Sequence, residues 1–252
     1  MPATTISPSL TNVRTPAELQ TRADAELTRD DPWLAAAWSF VQPRLPPASA
    51  SVLEIGCGPL GGFVPALLVG GYDAVGIDPE APEAPTYRRA RVEEGDIAGP
   101  VEAVAACTSL HHVGDLGHVV DRIATTLVPG GTLVVVEWAW ERFDEATAQW
   151  CFMRLAPPDA STEPGWLHRH RERWTTSGQA WDGYFRAWAA EEGLHTGGRI
   201  LDALDARFDR SYVDNGPYFF CDLADTTEVD EQAAIDAGDI QATCLRYVAA
   251  RH

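Results

Sequence analysis

Lysine is absent from this chain; all 19 basic residues are arginine. Schiff-base chemistry on a lysine amine is therefore excluded, and the absence itself suits GC-rich coding. Positive charge is scarce altogether. Nineteen basic residues stand against 37 acidic ones, a formal net charge of −18. Phosphate-binding surfaces need a positive footprint, so this balance argues against nucleic acid as a partner. Cysteine is sparse and scattered. Cys57, Cys107, Cys151, Cys221 and Cys244 are odd in number and form no CxxC pair. That argues against a disulfide framework and against a zinc or other metal site, and each reads as a small buried hydrophobe. No apolar run approaches the length of a membrane span, and the N-terminus lacks the basic-then-apolar pattern of a secretory leader. The expectation is a cytoplasmic protein without a membrane partner.

The 252 residues, 45% of them hydrophobic, suffice for one sizeable globular domain. No linker divides them, and four stretches differ in character. Residues 1–47 read as an N-terminal flap, loose over 1–18 and helical over 19–30. A second helix follows Asp31-Pro32 with Trp33, Ala37, Phe40 and Val41 on one face. Residues 48–140 alternate strand and helix. Strands are predicted at Ser51–Ile55, Ala74–Ile77, Arg89–Glu93, Glu102–Cys107 and Thr132–Glu137, with helices at Phe63–Val69 and Leu116–Leu127. EAPEAP after Asp78 is too rich in proline for a helix, and only five residues separate Asp96 from the fourth strand. Two of the usual intervening helices are therefore expected to be missing or reduced to turns. Residues 141–206 read as a helical cover over a substrate chamber, and seven of the nine tryptophans lie at or beyond Trp138. Residues 207–252 read as a strand, a helix capped at Thr227 with Asp230 three residues on, and a last strand. The pattern is α/β: a doubly wound, mostly parallel sheet.

Ligands of such sheets bind outside the carboxyl ends of the strands. Those ends carry Glu54, Asp78, Asp96, the His111-His112 pair and Glu137. In VLEIGCGPLGG (52–62) a buried strand breaks into glycines, which let backbone approach a ligand closely. Gly56-x-Gly58-x-x-Gly61 also fits a dinucleotide fingerprint, and an NAD-dependent oxidoreductase is the alternative. Glu54 speaks against it: a carboxylate at the mouth of the turn repels a pyrophosphate and suits the ammonium of an amino-acid moiety. Asp78, at the end of the second strand, suits the hydroxyls of a ribose.

These stretches, with GIDPE (76–80), EGDI (94–97), CTSLHHV (107–113) and LVPGGTLVVVEW (127–138), resemble the class I S-adenosylmethionine-dependent methyltransferases over about residues 48–140. The HRHRER run (168–173), Gly216-Pro217-Tyr218 and the late helices resemble, more loosely, actinobacterial small-molecule methyltransferases of the natural-product type. The resemblance implies a seven-stranded Rossmann-like sheet whose last strand is antiparallel. It implies S-adenosylmethionine as cofactor and S-adenosylhomocysteine as product. Glu54, Gly56, Cys57 and Gly58 would surround the methionine portion, and Cys107 and Thr108 would lie against its end. Asp78 would bind the ribose and Pro79 would lie beside the adenine. Asp96 would accept from the adenine amino group, and Ile97 would donate its backbone N–H to the ring.

The expected activity is methyl transfer to an oxygen or nitrogen of a small molecule of secondary metabolism. A non-methylating cyclase or scaffold on the same fold is the alternative. An imidazole at His111 or His112 could take the acceptor's proton, with Glu137 orienting or charging it; His111 is preferred. Trp138 and Trp166 are the expected apolar wall of the substrate pocket. His168 and His170 belong either to a solvated basic face or to an electrostatic lure for an acidic substrate.

Overall fold

The computed structural model describes residues 32–95, 97, 99–157 and 163–252. The expected flap and helix over 1–30, and Asp96, lie outside the described residues. Seven strands form one sheet: β1 (Ser51–Ile55), β2 (Asp73–Asp78), β3 (Tyr87–Arg89), β4 (Val101–Cys107), β5 (Leu127–Trp138), β6 (Phe208–Gly216) and β7 (Cys244–Arg251). Their order is β3-β2-β1-β4-β5-β7-β6. The first five pair in parallel, and β7 runs antiparallel to both β5 and β6. The Rossmann-like expectation holds.

Side chains alternate across the sheet and bury both faces. Val52, Ala103, Ala105, Val134 and Val136 face α1 (Pro32–Val41) and α2 (Val64–Val69). Leu53, Ile55, Val104, Ala106 and Val135 face α3 (Leu116–Thr126) and α7 (Gly197–Asp205). Between β5 and α7 stand α4 (Glu145–Phe152), α5 (Trp166–Ser177) and α6 (Trp181–Glu191), which enclose a third, aromatic cluster. Ile200 and Leu204 of α7 are fully buried against α3, so α7 flanks the sheet while α4–α6 form the aromatic cover. Helix α8 (Glu228–Asp236) connects β6 to β7 and carries the expected capping box of Thr227 and Asp230.

Two details differ from the sequence expectation. The third strand is Tyr87–Arg89, and residues 92–94 form a turn instead. The fifth strand starts at Leu127 and absorbs Pro129-Gly130-Gly131 as an irregularity, where the pairing with β4 skips from Leu127 to Thr132. A glycine in the left-handed region (Gly130, φ +74°) lets the chain bulge and return to register. Among the described residues no helix stands between β2 and β3 or between β3 and β4.

Candidate active site

The carboxyl ends of β1, β2 and β4 open into a cavity of about 190 Å³. Gly56, Asp78, Pro79 and Thr108 line it, as the sequence led one to expect, and so do Arg91, Glu93, Ser109 and His112. Gly56 has φ +80°, and a Cβ there would sit 2.2 Å from the Cβ of Ser109. The turn after β1 thus touches the turn after β4. Gly58 differs: at φ +63° nothing lies within 4 Å of where its Cβ would be. Its backbone is open to a ligand's close approach. Asp78 accepts the Glu80 N–H through Oδ1 at 2.7 Å, which fixes its carboxylate at the end of β2. Glu93 accepts the Gly114 N–H at 2.8 Å and so ties the loop after β3 to the start of α3.

Glu54 is placed differently from the expectation. Its carboxyl group is buried beneath the glycine turn, not at its mouth. The two oxygens accept the Phe63 N–H at 2.9 and 2.7 Å, and Oε2 accepts the Val64 N–H at 3.0 Å. These are orphan donors at the start of α2, so Glu54 caps the helix and braces the loop. Burial pushes its pKa up to about 8; the Phe63 and Val64 N–H groups pull it down and Asp78 pushes it further up. Cys57 is buried against Gly76 and Tyr87 of β2 and β3, and Cys107 is buried in the α1–α2 face. Neither side chain lines the cavity. Ile97 packs on the α3 face of the core.

A buried carboxylate organises the turn after β4 as well. Glu137 accepts the N–H groups of Ser109 at 2.7 Å, Leu110 at 2.5 Å and Trp138 at 3.3 Å. Its Oε2 lies 2.6 Å from His111 Nδ1. A carboxylate only accepts, so Nδ1 is the donor, and in the neutral ring the lone pair is on Nε2. The two histidines therefore part company. His111 is buried and held by Glu137, whereas His112, with its ring 4.2 Å from that of His111, lines the cavity. Burial, then His111, lowers the pKa of His112 against the opposing pull of Glu137 and Glu192. The cover holds the same turn from outside. The His195 N–H donates to the His111 carbonyl at 2.9 Å, and Trp140 Nε1 donates to the His195 carbonyl at 3.0 Å.

Beyond this turn stands the aromatic wall. Trp138 is 5% exposed, and its indole N–H is buried without a hydrogen-bond partner among the described residues. It meets Trp166 edge-on at 5.4 Å and His111 edge-on at 6.0 Å, and it stacks on Tyr218 at 5.7 Å and 9°. His170 joins the wall through Trp166 and Trp188, with Nδ1 2.9 Å from the Tyr184 hydroxyl. Burial, then Arg173 and Arg169, pushes its pKa down to about 4, so it is neutral near pH 7. His168, two positions along α5, turns instead to the Ala156 carbonyl at 2.8 Å. The HRHRER run is thus split. His170 is an inward ring, while Arg169 donates to the Pro164 carbonyl at 2.5 Å.

Several residues of this region carried no signal in the sequence. Ser109 lies inside CTSLHHV, read for its neighbours, and Glu93 ends a predicted strand just before EGDI. Glu231 lies on a helix without a marked apolar face, and its three backbone partners are visible only in three dimensions.

Residues 29–189 match the protein family described as "Methyltransferase domain". The chain belongs to that family. Methyl transfer is accordingly the activity of this methyltransferase, and S-adenosylmethionine its methyl donor. The residues present fit that donor: an open glycine backbone at Gly58 and an acid, Asp78, at the end of β2. No curated protein matches the chain. Among solved structures, it is similar to an S-adenosylmethionine-dependent methyltransferase from Mesorhizobium loti, with 20% identity over 86% of this chain and 98% of the other and a TM-score of 0.52. It is also similar to geranyl diphosphate C-methyltransferase from Streptomyces coelicolor A3(2), with 16% identity over 96% and 82% and a TM-score of 0.54. At such identities the likeness is one of fold. Among the described residues no group of three or more His, Cys, Asp or Glu side chains could hold a metal ion, and no helix is long and apolar enough to cross a membrane.

Proposed function

We propose that the methyltransferase acts on an oxygen or nitrogen nucleophile of a small molecule of the secondary-metabolite type, with His111 as general base. The observation that carries this reading is the buried His111–Glu137 pair, 2.6 Å apart, between the cofactor cavity and an aromatic wall. S-adenosylmethionine supplies, when bound, a methyl group already activated by its sulfonium. Gly56, Gly58 and Thr108 receive its amino-acid end, with Glu54, Cys57 and Cys107 supporting the loops from behind. Asp78 binds the ribose, Pro79 lies beside the adenine, and Asp96 and Ile97 serve the adenine edge.

The remaining work is alignment, exclusion of water and one proton transfer. Trp138 and Trp166 supply an apolar surface against which an acceptor lies flat. Glu137 holds the His111 tautomer that leaves Nε2 free to take the acceptor's proton, and its charge stabilises the imidazolium formed. His112, turned to the cofactor cavity, contributes to binding instead.

The test is formation of S-adenosylhomocysteine when the protein is offered a panel of phenols, catechols and heteroaromatic amines. With an accepted compound, His111→Asn should lower kcat by about 10²- to 10⁴-fold while S-adenosylhomocysteine affinity is kept. His112→Asn should weaken cofactor binding and leave kcat within about threefold, a shift far smaller than a lost base produces. Full turnover by His111→Asn removes the base from this histidine.

A further inference from the structure

His195 acts on the cofactor cavity from the cover without lining it. It is 7% exposed and stands in the connection from α6 to α7. Its backbone N–H donates to the His111 carbonyl and its own carbonyl accepts from Trp140 Nε1. Close after it, Glu141 accepts the Gly197 and Gly198 N–H groups, both at 2.9 Å, at the start of α7. The ring thus stands on a firmly held stretch of backbone. It makes one hydrogen bond: Nε2 lies 2.8 Å from the Val113 carbonyl. A carbonyl only accepts, so Nε2 is the donor, and in the neutral ring the lone pair is on Nδ1. Nδ1 is buried without a hydrogen-bond partner among the described residues. A buried unpaired acceptor costs stability, and an apolar side chain would avoid that cost. Packing alone therefore does not account for an imidazole at this position, whereas the bond to Val113 does.

That bond falls on the wall of the cavity. His112 and Val113 both line it. The peptide unit joining Val113 to Gly114 is held at both ends. Its C=O accepts from His195, and its N–H donates to Glu93 at 2.8 Å. Glu93 itself lines the cavity. One grip therefore comes from the cover and the other from the loop after β3. A peptide unit with both polar groups paired cannot turn over without losing one of them. The wall is set before a ligand arrives, and the ordering cost of binding falls accordingly.

We propose that His195 is a positioning residue of the cofactor cavity: its ring N–H pins the Val113–Gly114 peptide and with it the wall formed by His112 and Val113. The proposal rests on the assignment of that cavity to S-adenosylmethionine. It makes the cover a working part of the cofactor site, coupled to it through one imidazole.

The test needs no acceptor. Dissociation constants of S-adenosylhomocysteine are measured by calorimetry on the full chain and on His195→Gln, His195→Asn and His195→Leu, each below its own melting temperature. Substitution leaves the backbone bond from residue 195 to His111 in place, so only the Val113 end of the segment is released. A glutamine amide carries an N–H at about the reach of the histidine Nε2, an asparagine amide falls short of it, and leucine has no donor. His195→Leu and His195→Asn should weaken binding about 3- to 30-fold, whereas His195→Gln should stay within about twofold of the parent. A side chain that only fills space gives the opposite order, with His195→Leu nearest the parent, because it removes the buried orphan. Should His195→Leu fail to fold, the difference between His195→Gln and His195→Asn decides. Parent-like affinity in His195→Leu or His195→Asn overturns the proposal. Equal weakening in all the variants also overturns it, since the shape of the ring and not its N–H would then matter. Failure of the parent chain to bind overturns the cofactor assignment and this proposal with it, whereas binding by the parent with unmoved variants overturns this proposal alone.

Discussion

Replacing Glu54 by glutamine isolates the titration of one buried carboxyl. The group is raised to about 8, chiefly by burial, from a model-peptide value of 4.5. The folded state therefore binds this proton more tightly than the unfolded chain does. The stabilisation that follows is complete below the unfolded value and is lost as pH rises through about 8. Between pH 6 and pH 8 that loss amounts to about 2 kcal/mol. Glutamine has nearly the same shape, and one carbonyl oxygen can still accept from both Phe63 and Val64, as Oε2 does at 2.7 and 3.0 Å. It does not titrate. Urea unfolding of both proteins at pH 6 and pH 8 gives four stabilities. All other titrating groups are common to the two chains, so the parent should lose about 2 kcal/mol more than Glu54→Gln over this interval. Equal losses would show that the carboxyl stays ionised under the loop, and the picture of a neutral, buried cap would be wrong.

The other variants test the remaining braces. Glu137→Gln keeps one acceptor oxygen but sets an amide NH2 either against the His111 Nδ1 donor or against the Ser109 and Leu110 N–H groups; denaturant unfolding should show a loss of about 2–4 kcal/mol, and a loss under about 0.5 kcal/mol would mean that the turn does not depend on this carboxylate. Gly56→Ala must drive a Cβ into Ser109 at positive φ; it should be destabilised by more than about 3 kcal/mol or fail to fold. Gly58→Ala, with open space around it, should lose only about 1 kcal/mol of stability yet bind S-adenosylhomocysteine at least about tenfold more weakly, and unimpaired binding would show that the ligand keeps clear of this turn.

Most of the sheet could be read from the sequence because its signals are local. β1 is a short apolar run closed by glycine and β4 one preceded by Gly99-Pro100, and the Thr227 cap with Asp230 is a three-residue pattern that the structure reproduces. The third strand was less legible. Tyr87–Arg89 is a three-residue edge strand with two exposed arginines, too short for alternation to show. The site divided along the same line. Gly56, Asp78, Pro79 and Thr108 lie on turns that immediately follow buried strands, so their positions follow from topology. The direction of a side chain does not. Glu54 and Glu137 sit at equivalent strand ends in sequence, yet one turns under a helix start and the other under the turn that carries His111. Likewise nothing in HRHRER distinguishes His168 from His170; helical geometry places them on different sides of α5, one on a loop carbonyl and one among rings. The three buried glutamates share a feature that a chain without lysine makes prominent. Glu54 and Glu231 take backbone N–H groups as partners, and Glu137 takes them together with the His111 ring.

The most direct measurement is calorimetric titration of S-adenosylhomocysteine into the parent chain and into Asp78→Ala. The parent should show one site per chain. Affinity should weaken at least about tenfold in the variant, since the ribose loses hydrogen bonds to a charged acceptor. An absence of heat with the parent chain, or the same dissociation constant in both proteins, would contradict it.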